Sequence, residues 1–281
     1  MTYFSLGLDA IRRRMGLAGL IYGANLIMAL LVTVPLYVVF SRAVSESGYS
    51  EELAGSFDLS LWADIMQQSP ELVTTLFLQL FWMVPLYMAW NVLSLAGLAY
   101  ALSTGGQRSF WQGVGRYGAR ALLLGLLYAG LMLAGIFMVG IVILIASVVF
   151  SGEAGSIWTS MVLLPLLSLL VFAVLDMMHD FARLELVLGE RKVFDAWLRG
   201  LKWPFASADA NSAYILWMMV AALTLLAISA LDLRVGGVFL AFVVQQVMLF
   251  SRAAVTVGWI GSEVAVYEAQ QRDNEPLIAE A

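Results

Sequence analysis

The sequence has no cysteine and a single histidine among its 281 residues. Without cysteine the chain cannot build a disulfide framework, a cysteine-ligated zinc site or an iron–sulfur cluster. The single histidine disfavours the remaining kinds of zinc site. Charge is also scarce: 12% of the residues are charged and the net charge is −5, a balance that disfavours nucleic-acid binding.

Apolar residues dominate the composition instead. Hydrophobic residues account for 62% of the chain, and the mean hydropathy is +0.88. A soluble domain of this length lacks enough polar residues to cover such a core. The class that remains is a multi-spanning membrane protein, whose spans must be α-helices because a bilayer satisfies no backbone hydrogen bonds.

Six stretches are long enough to cross a bilayer, since a spanning helix needs ~20 apolar residues. We predict an all-α polytopic protein with one six-span membrane domain over residues 1–269. Residues 270–281 are polar and predict a disordered cytoplasmic tail. The predicted spans are residues 17–40, 72–102, 121–150, 161–188, 212–231 and 235–257.

Basic residues are distributed unevenly between the two sides of this arrangement. Only Arg42 and Arg234 fall on one side, and the other Lys and Arg residues fall on the opposite side. The positive-inside rule therefore predicts that both termini are cytoplasmic, in agreement with an even number of spans. The residues on the cytoplasmic side are Arg12, Arg13, Arg14, Arg108, Arg116, Arg120, Arg183, Arg191, Lys192, Arg199, Lys202, Arg252 and Arg272.

A repeated unit is visible along the chain, consisting of an amphipathic segment followed by a pair of spans. An offset of 106 residues aligns Gly7 with Gly113 and Arg14 with Arg120. The arginine match is informative because arginine is scarce here. We predict a threefold repeat of amphipathic segment plus helical hairpin. The three segments are Phe4–Met15, Ser109–Arg120 and Lys192–Trp203.

The third segment is the clearest amphipathic helix of the three. Its pattern is typical of a helix that lies in the cytoplasmic membrane interface. An anchor that fixes the angle of the following hairpin is favoured over a lipid-sensing role. The apolar face carries Val193, Phe194, Trp197, Leu198 and Leu201, and the polar face carries Lys192, Asp195, Arg199 and Lys202.

The connections on the outer side carry their own signals. Residues 58–66 predict a short amphipathic helix on the outer leaflet. Ser69, Pro70 and Glu71 together predict the start of the second span, with a capping residue, a first-turn proline and an acid that matches the helix dipole. Residues 232–234 predict a tight turn between the last two spans.

Four ionisable residues lie at the inner end of the fourth span, where a function would be sought. Asp176, His179, Asp180 and Arg183 share one helix face at spacings of three and four residues. Two aspartates and one histidine on a single helix are a weak signal for a metal, and we predict none. His179 has no Ser or Cys partner at a recognisable spacing, so we predict no catalytic residue.

The sixth span offers a cation at a similar expected depth. Gln245 and Arg252 lie on one face together with Trp259 and Glu263. Counted from the outer ends of the predicted spans, Arg252 reaches the level of Asp176, so we predict that Arg252 pairs with Asp176 or Asp180. An interhelical ionic clamp is favoured over the alternatives, which are a proton- or ion-coupled gate and a headgroup site.

The chain resembles the helical membrane domain that is fused to some bacterial glycerophosphodiester phosphodiesterases, and its stand-alone six-span relatives. The resemblance rests on Asp180, Ala182 and Arg183 after the fourth span, on the amphipathic helix that follows, and on Arg252 in the sixth span. The phosphodiesterase barrel is absent from this sequence, so no catalytic residue of that enzyme carries over. The resemblance leaves the role of such domains undefined.

The leading hypothesis is a non-enzymatic protein of the bacterial inner membrane that packs with lipids or with other membrane-protein subunits. It requires no cofactor and no nucleic-acid partner. The alternative is a small transporter or permease subunit with a polar site near Asp176, Asp180 and Arg252. A third hypothesis, an intramembrane enzyme that acts on lipids, has only His179 and the neighbouring aspartates to support it.

Overall fold

The computed structural model describes residues 2–47, 59–104, 107–232 and 238–274. All regular secondary structure in these ranges is helical, which confirms the predicted fold class. In chain order the helices are α1 (Tyr3–Arg13), α2 (Met15–Ser47), α3 (Leu59–Gln68), α4 (Pro70–Thr104), α5 (Gln107–Val149), α6 (Glu153–Trp158), α7 (Leu164–Val187), α8 (Val193–Gly200), α9 (Trp203–Ala206), α10 (Ala208–Asp232) and α11 (Val238–Asn274).

Six helical segments in the described ranges are long and apolar enough to cross a membrane, as predicted. In the most apolar stretch of each segment, at most 22% of the residues are buried. Most apolar side chains of the spans therefore face outward, as a lipid solvent requires. The segments are Met15–Ser45, Pro70–Thr104, Ser109–Val149, Ala154–Val187, Ala208–Leu231 and Phe239–Arg272.

Several helices extend beyond the predicted spans at their polar ends. Helix α5 begins at Gln107, although its span was predicted from residue 121, and α11 continues through Asn274. The hydropathy pattern marks where the apolar stretch ends, whereas a helix ends only at a break in its hydrogen bonding. Helix α11 thus passes the predicted domain end at residue 269, and the rest of the predicted tail, residues 275–281, lies outside the described residues.

The fourth span begins earlier than predicted because a π-helical turn joins two helices into one segment. The turn covers Thr159–Leu163, between α6 and α7. Pro165 follows it at the start of α7. Proline lacks an N–H and its ring crowds the carbonyl four residues earlier, and a wider turn accommodates both effects. The span therefore starts at Ala154 and not at residue 161.

The chain divides into two compact units, and the smaller one is Leu20–Asn91. Its best-buried apolar cluster contains Ala43, Ile65 and Leu72, from α2, α3 and α4. Helix α3 confirms the predicted short helix and is held by Ile65, which is fully buried. The second span starts at Pro70, as predicted. The neighbouring residues 48–58 lie outside the described ranges, as does most of the turn predicted at 232–234.

The larger unit consists of Met1–Gly19 and Val92–Ala281. Helix α1 lies against α11 and α10, and its Phe4 ring is 5.1 Å from the Trp217 ring of α10. Helix α7 is surrounded at its C-terminal half by α5, α8, α9 and α11. Every residue from Asp180 to Val187 is buried, so the charged end of the fourth span is a core element.

The three amphipathic segments pack in corresponding ways, each through a glycine. A side chain at Gly7 would collide with α11, one at Gly113 with Tyr100 of α4, and one at Gly200 with Ala182 of α7. Each segment thus lies on the second span of the preceding hairpin, with α1 on the last hairpin. This pattern agrees with the predicted repeat, although the second segment is continuous with its span in α5.

Candidate functional site: a buried ionic cluster

Three ionisable residues of α7 and one of α11 form what we call the ionic cluster: Asp176, Asp180, Arg183 and Glu263. Arg183 is 2% exposed, Asp180 8% and Glu263 1%, while Asp176 is half-buried. Burial of this degree is costly for charged groups unless they are paired. The contacts of the cluster therefore determine whether this end of the bundle is stable.

Arg183 forms an ion pair with Asp180, one turn earlier on the same helix. The i,i+3 spacing of the two residues brings their side chains together on one helix face. The carboxylates of Glu263 and Asp176 lie within electrostatic range of the same guanidinium. The cation that the two aspartates need is thus supplied by their own helix.

Asp176 connects α7 to two other helices of the larger unit. It accepts a hydrogen bond from the Tyr214 hydroxyl of α10 at 2.9 Å and one from the Tyr128 hydroxyl of α5 at 3.3 Å. Hydrogen bonds to a charged acceptor are stronger than those between neutral groups. Asp176 therefore ties three spanning helices together at one level.

Glu263 brings α11 into the cluster and is the residue that the sequence-based list of site residues missed. The indole Nε1 of Trp259 donates to its Oε1 at 2.7 Å. The Trp259 ring in turn meets the Tyr214 ring edge-on, with centroids 5.0 Å apart. The signal was present in the sequence, because Glu263 shares a face with Trp259 at a spacing of four residues.

His179 is a packing residue at the side of the cluster. Its ring stacks on that of Tyr128, with centroids 4.2 Å apart and planes 14° apart. Its buried Nδ1 has no hydrogen-bond partner among the described residues. The structure thus brings His179 together with Asp176, Asp180 and Arg183, as the spacing predicted.

Gln245 and Arg252 are not part of the cluster. Both side chains are exposed, and the described residues offer Arg252 no ion pair with either aspartate. The predicted pairing of Arg252 with Asp176 or Asp180 is wrong. The reason is axial register: Glu263 is the residue of α11 that lies at the cluster, and Arg252 precedes it by eleven residues, roughly 16 Å along the helix.

A second acidic residue near the end of α7 forms a separate buried node. Glu185 accepts hydrogen bonds from Arg191 at 3.1 Å, Tyr267 at 3.3 Å and Trp203 at 3.4 Å. These donors lie in the loop after α7, in α11 and in α9. Only Arg191 is near Glu185 in sequence, so this node could not be inferred from spacing.

The loop that leaves α7 is fixed by one residue in an uncommon backbone conformation. Glu190 has φ = +49°, in the left-handed region that favours glycine. Its carboxylate accepts hydrogen bonds from Arg116 at 2.7 Å and from the Tyr117 hydroxyl at 3.2 Å. These contacts link the loop to α5 and explain why a side chain is present at this position.

The cluster contains one ion pair, Arg183 with Asp180, and its hydrogen bonds to Asp176 join α5, α7 and α10. The buried Nε and Nη1 of Arg183 and Oε2 of Glu263 have no hydrogen-bond partner within the part of the chain that the structure describes. Among the described residues no group of three or more His, Asp or Glu side chains could hold a metal ion. A cavity of about 380 Å³ lies elsewhere in the larger unit, between α1, the end of α4 and α11, and no cluster residue lines it.

Comparison with known proteins adds no relative. No family model, no curated protein and no solved structure matches the chain. The resemblance to the membrane domain of glycerophosphodiester phosphodiesterases therefore stays a prediction.

Proposed function

We propose that this chain is a non-enzymatic integral membrane protein whose role is to associate with lipids or with other membrane components. The observation that carries the proposal is the closed ionic cluster. Arg183, Asp180 and Glu263 are almost inaccessible to solvent, and Asp176 is held by two tyrosines. Such a site holds helices together and leaves the outward apolar faces of the spans free for contact with the membrane.

We further propose the bacterial inner membrane as the location, with both termini in the cytoplasm. The uneven distribution of the Lys and Arg residues supports this orientation. The bacterial assignment is supported by the resemblance of the sequence to a stand-alone member of the phosphodiesterase-associated membrane domains. Labelling of single cysteines at Ser45 and Arg13 in intact and in permeabilised spheroplasts tests the orientation, with only Ser45→Cys expected to react before permeabilisation.

A second candidate function, transport, is favoured by one specific observation. Arg252 and Gln245 are exposed within the sixth span, and ionisable side chains at membrane depth commonly line water-filled pathways. In the proposal of a non-transporting protein, Arg252 instead lies against lipid and extends its charge toward the nearer headgroups.

The two candidate functions differ in whether lipid or water surrounds the side chain at position 252. The chain has no cysteine, so Arg252→Cys and Gln245→Cys each create a single labelling site. We expect both to react with a lipid-soluble maleimide and to resist a charged, water-soluble thiol reagent in membranes. Rapid reaction with the water-soluble reagent at both positions would favour transport and overturn the proposal. Ser45→Cys, at an exposed position near the end of α2, serves as the labelling control.

A further inference from the structure

Helix α8 carries small, large apolar and charged residues on different faces. The face with the small residues makes the closest contact with the rest of the protein. Ala196 and Gly200 are buried, and Gly200 lies against the backbone of Met178 and Ala182 in α7. Small residues allow this close contact between two helices. The closest contact of α8 with the protein is therefore made by small residues and not by the large residues of the predicted apolar face.

Two residues of the predicted apolar face of α8 point away from the protein. Phe194 is 59% exposed and Leu198 41% exposed, whereas Val193, Trp197 and Leu201 are half-buried. Helix α9 follows with Phe205, which is 80% exposed. Large apolar side chains in water would be unfavourable by about 1.5–3 kcal/mol each relative to burial, so this face indicates an apolar environment outside the chain.

Helix α1 exposes less of its apolar face than α8 does. Its Phe4 ring contacts that of Trp217, and its exposed apolar side chain is Leu8, at 38%. Its charged face carries the exposed Arg13, which pairs with Asp9 at 2.9 Å. The two segments thus differ in how much apolar surface they leave outside the chain.

The level of α8 along the fourth span matches the headgroup layer of a membrane. Met178 and Ala182, which contact α8, lie roughly 36 and 42 Å along the helix from Ala154. A hydrocarbon core is ~30 Å thick and the headgroup regions extend its span to ~40–45 Å. Helix α8 therefore lies where a leaflet presents its headgroups and the first carbons of its acyl chains.

The third face of α8 supplies the charge that such a layer selects. Lys192, Arg199 and Lys202 are exposed, and Asp195 is the single acidic residue beside them on this helix. Basic side chains near a membrane surface each contribute about 1 kcal/mol of attraction to anionic lipid. Apolar, basic and internally packed faces thus follow one another around the helix.

We infer that α8 is a binding site for anionic phospholipids. Phe194 and Leu198 insert among the acyl chains, and Lys192, Arg199 and Lys202 bind the phosphate-bearing headgroups. This inference rests on the proposed function, since it names the lipid class with which the protein associates. It assigns the selectivity to Arg199 of α8 and to Lys192 and Lys202, which flank this helix.

Quenching by brominated lipids tests this assignment in the full chain. Leu198→Cys is labelled with a polarity-sensitive dye, and the protein is reconstituted in phosphatidylcholine vesicles that contain either brominated phosphatidylglycerol or brominated phosphatidylcholine. We expect quenching by both lipids, with at least a fivefold preference for phosphatidylglycerol, the factor that ~1 kcal/mol from a single basic residue supplies. Replacing Lys192, Arg199 and Lys202 with Gln should reduce the preference to about one.

The matched control replaces Arg12, Arg13 and Arg14 of the first segment with Gln and should keep the preference. Equal quenching by the two lipids, or quenching of the dye by aqueous iodide alone, would overturn the inference. Either result leaves the proposed function intact, because that proposal fails only when water-soluble reagents reach positions 245 and 252. Phe194→Cys provides a second labelling position on the same face.

Discussion

Replacing Arg183 with glutamine tests the ionic cluster most severely, because it removes the guanidinium and leaves the acids in place. Arg183 is 2% exposed and Asp180 8%, so Asp180 would become a buried carboxylate without its cation. Breaking a buried ion pair from one side costs about 3–5 kcal/mol. For a chain of this size we expect the unfolding midpoint to fall by on the order of 10 °C.

The assay is thermal unfolding of the full chain in mild detergent, followed by tryptophan fluorescence. Arg252→Gln is the matched control, since Arg252 is exposed and has no ion-pair partner among the described residues. Its cost should stay within ~0.5 kcal/mol, as for most exposed substitutions.

A double-mutant cycle with Asp180→Asn separates the pair from general damage. Once Asp180 is neutral, Arg183→Gln leaves one carboxylate fewer without its cation, so the double variant should be more stable than Arg183→Gln alone. The coupling should amount to about 0.5–3 kcal/mol. Additive effects, or an Arg183→Gln variant as stable as the Arg252→Gln control, would refute the role given to this pair.

Three further changes have expected outcomes in the same assay. Gly7→Ala should destabilise the protein by about 1–3 kcal/mol because a side chain there collides with α11. Gly19 has open space around it, so Gly19→Ala should be neutral or slightly stabilising. Equal effects of the two substitutions would contradict the close contact at Gly7. Tyr214→Phe should cost about 1–3 kcal/mol by removing the 2.9 Å hydrogen bond to Asp176, and an unchanged midpoint would show that this bond contributes nothing. Glu190→Ala should destabilise more than Glu190→Gly, because only glycine relieves the backbone conformation at φ = +49°; the reverse order would contradict that reading.

The fold was largely predictable because the bilayer constrains it so strongly. Stretches of apolar residues long enough to cross a membrane must be helical, and all six predicted spans correspond to long apolar helices. Helix ends were less predictable, since a helix such as α5 continues through polar residues once it has formed. The π-helical turn before Pro165 is a local response to one residue that hydropathy does not record.

The candidate site was predictable only where it depended on spacing within one helix. Asp180 and Arg183 are neighbours because they are three residues apart on α7, and the structure pairs them. Contacts between helices depend on the axial register, and Arg252 lies roughly 16 Å along α11 from Glu263, the residue that does reach the cluster. The tyrosines that bind Asp176 come from α5 and α10, and nothing in a single sequence marks them as partners.

If the ionic cluster is closed to water, a thiol in the same buried segment of α7 should not react with a water-soluble reagent. Met177 follows Asp176 on α7 and is 3% exposed, so Met177→Cys places a single thiol in the buried segment that carries the cluster, in a chain that has no other cysteine. In native membranes we expect the thiol at position 177 not to react with a charged, water-soluble reagent, and to react fully after denaturation in SDS. Rapid reaction of the folded protein, at a rate near that of the exposed Ser45→Cys control, would contradict this expectation.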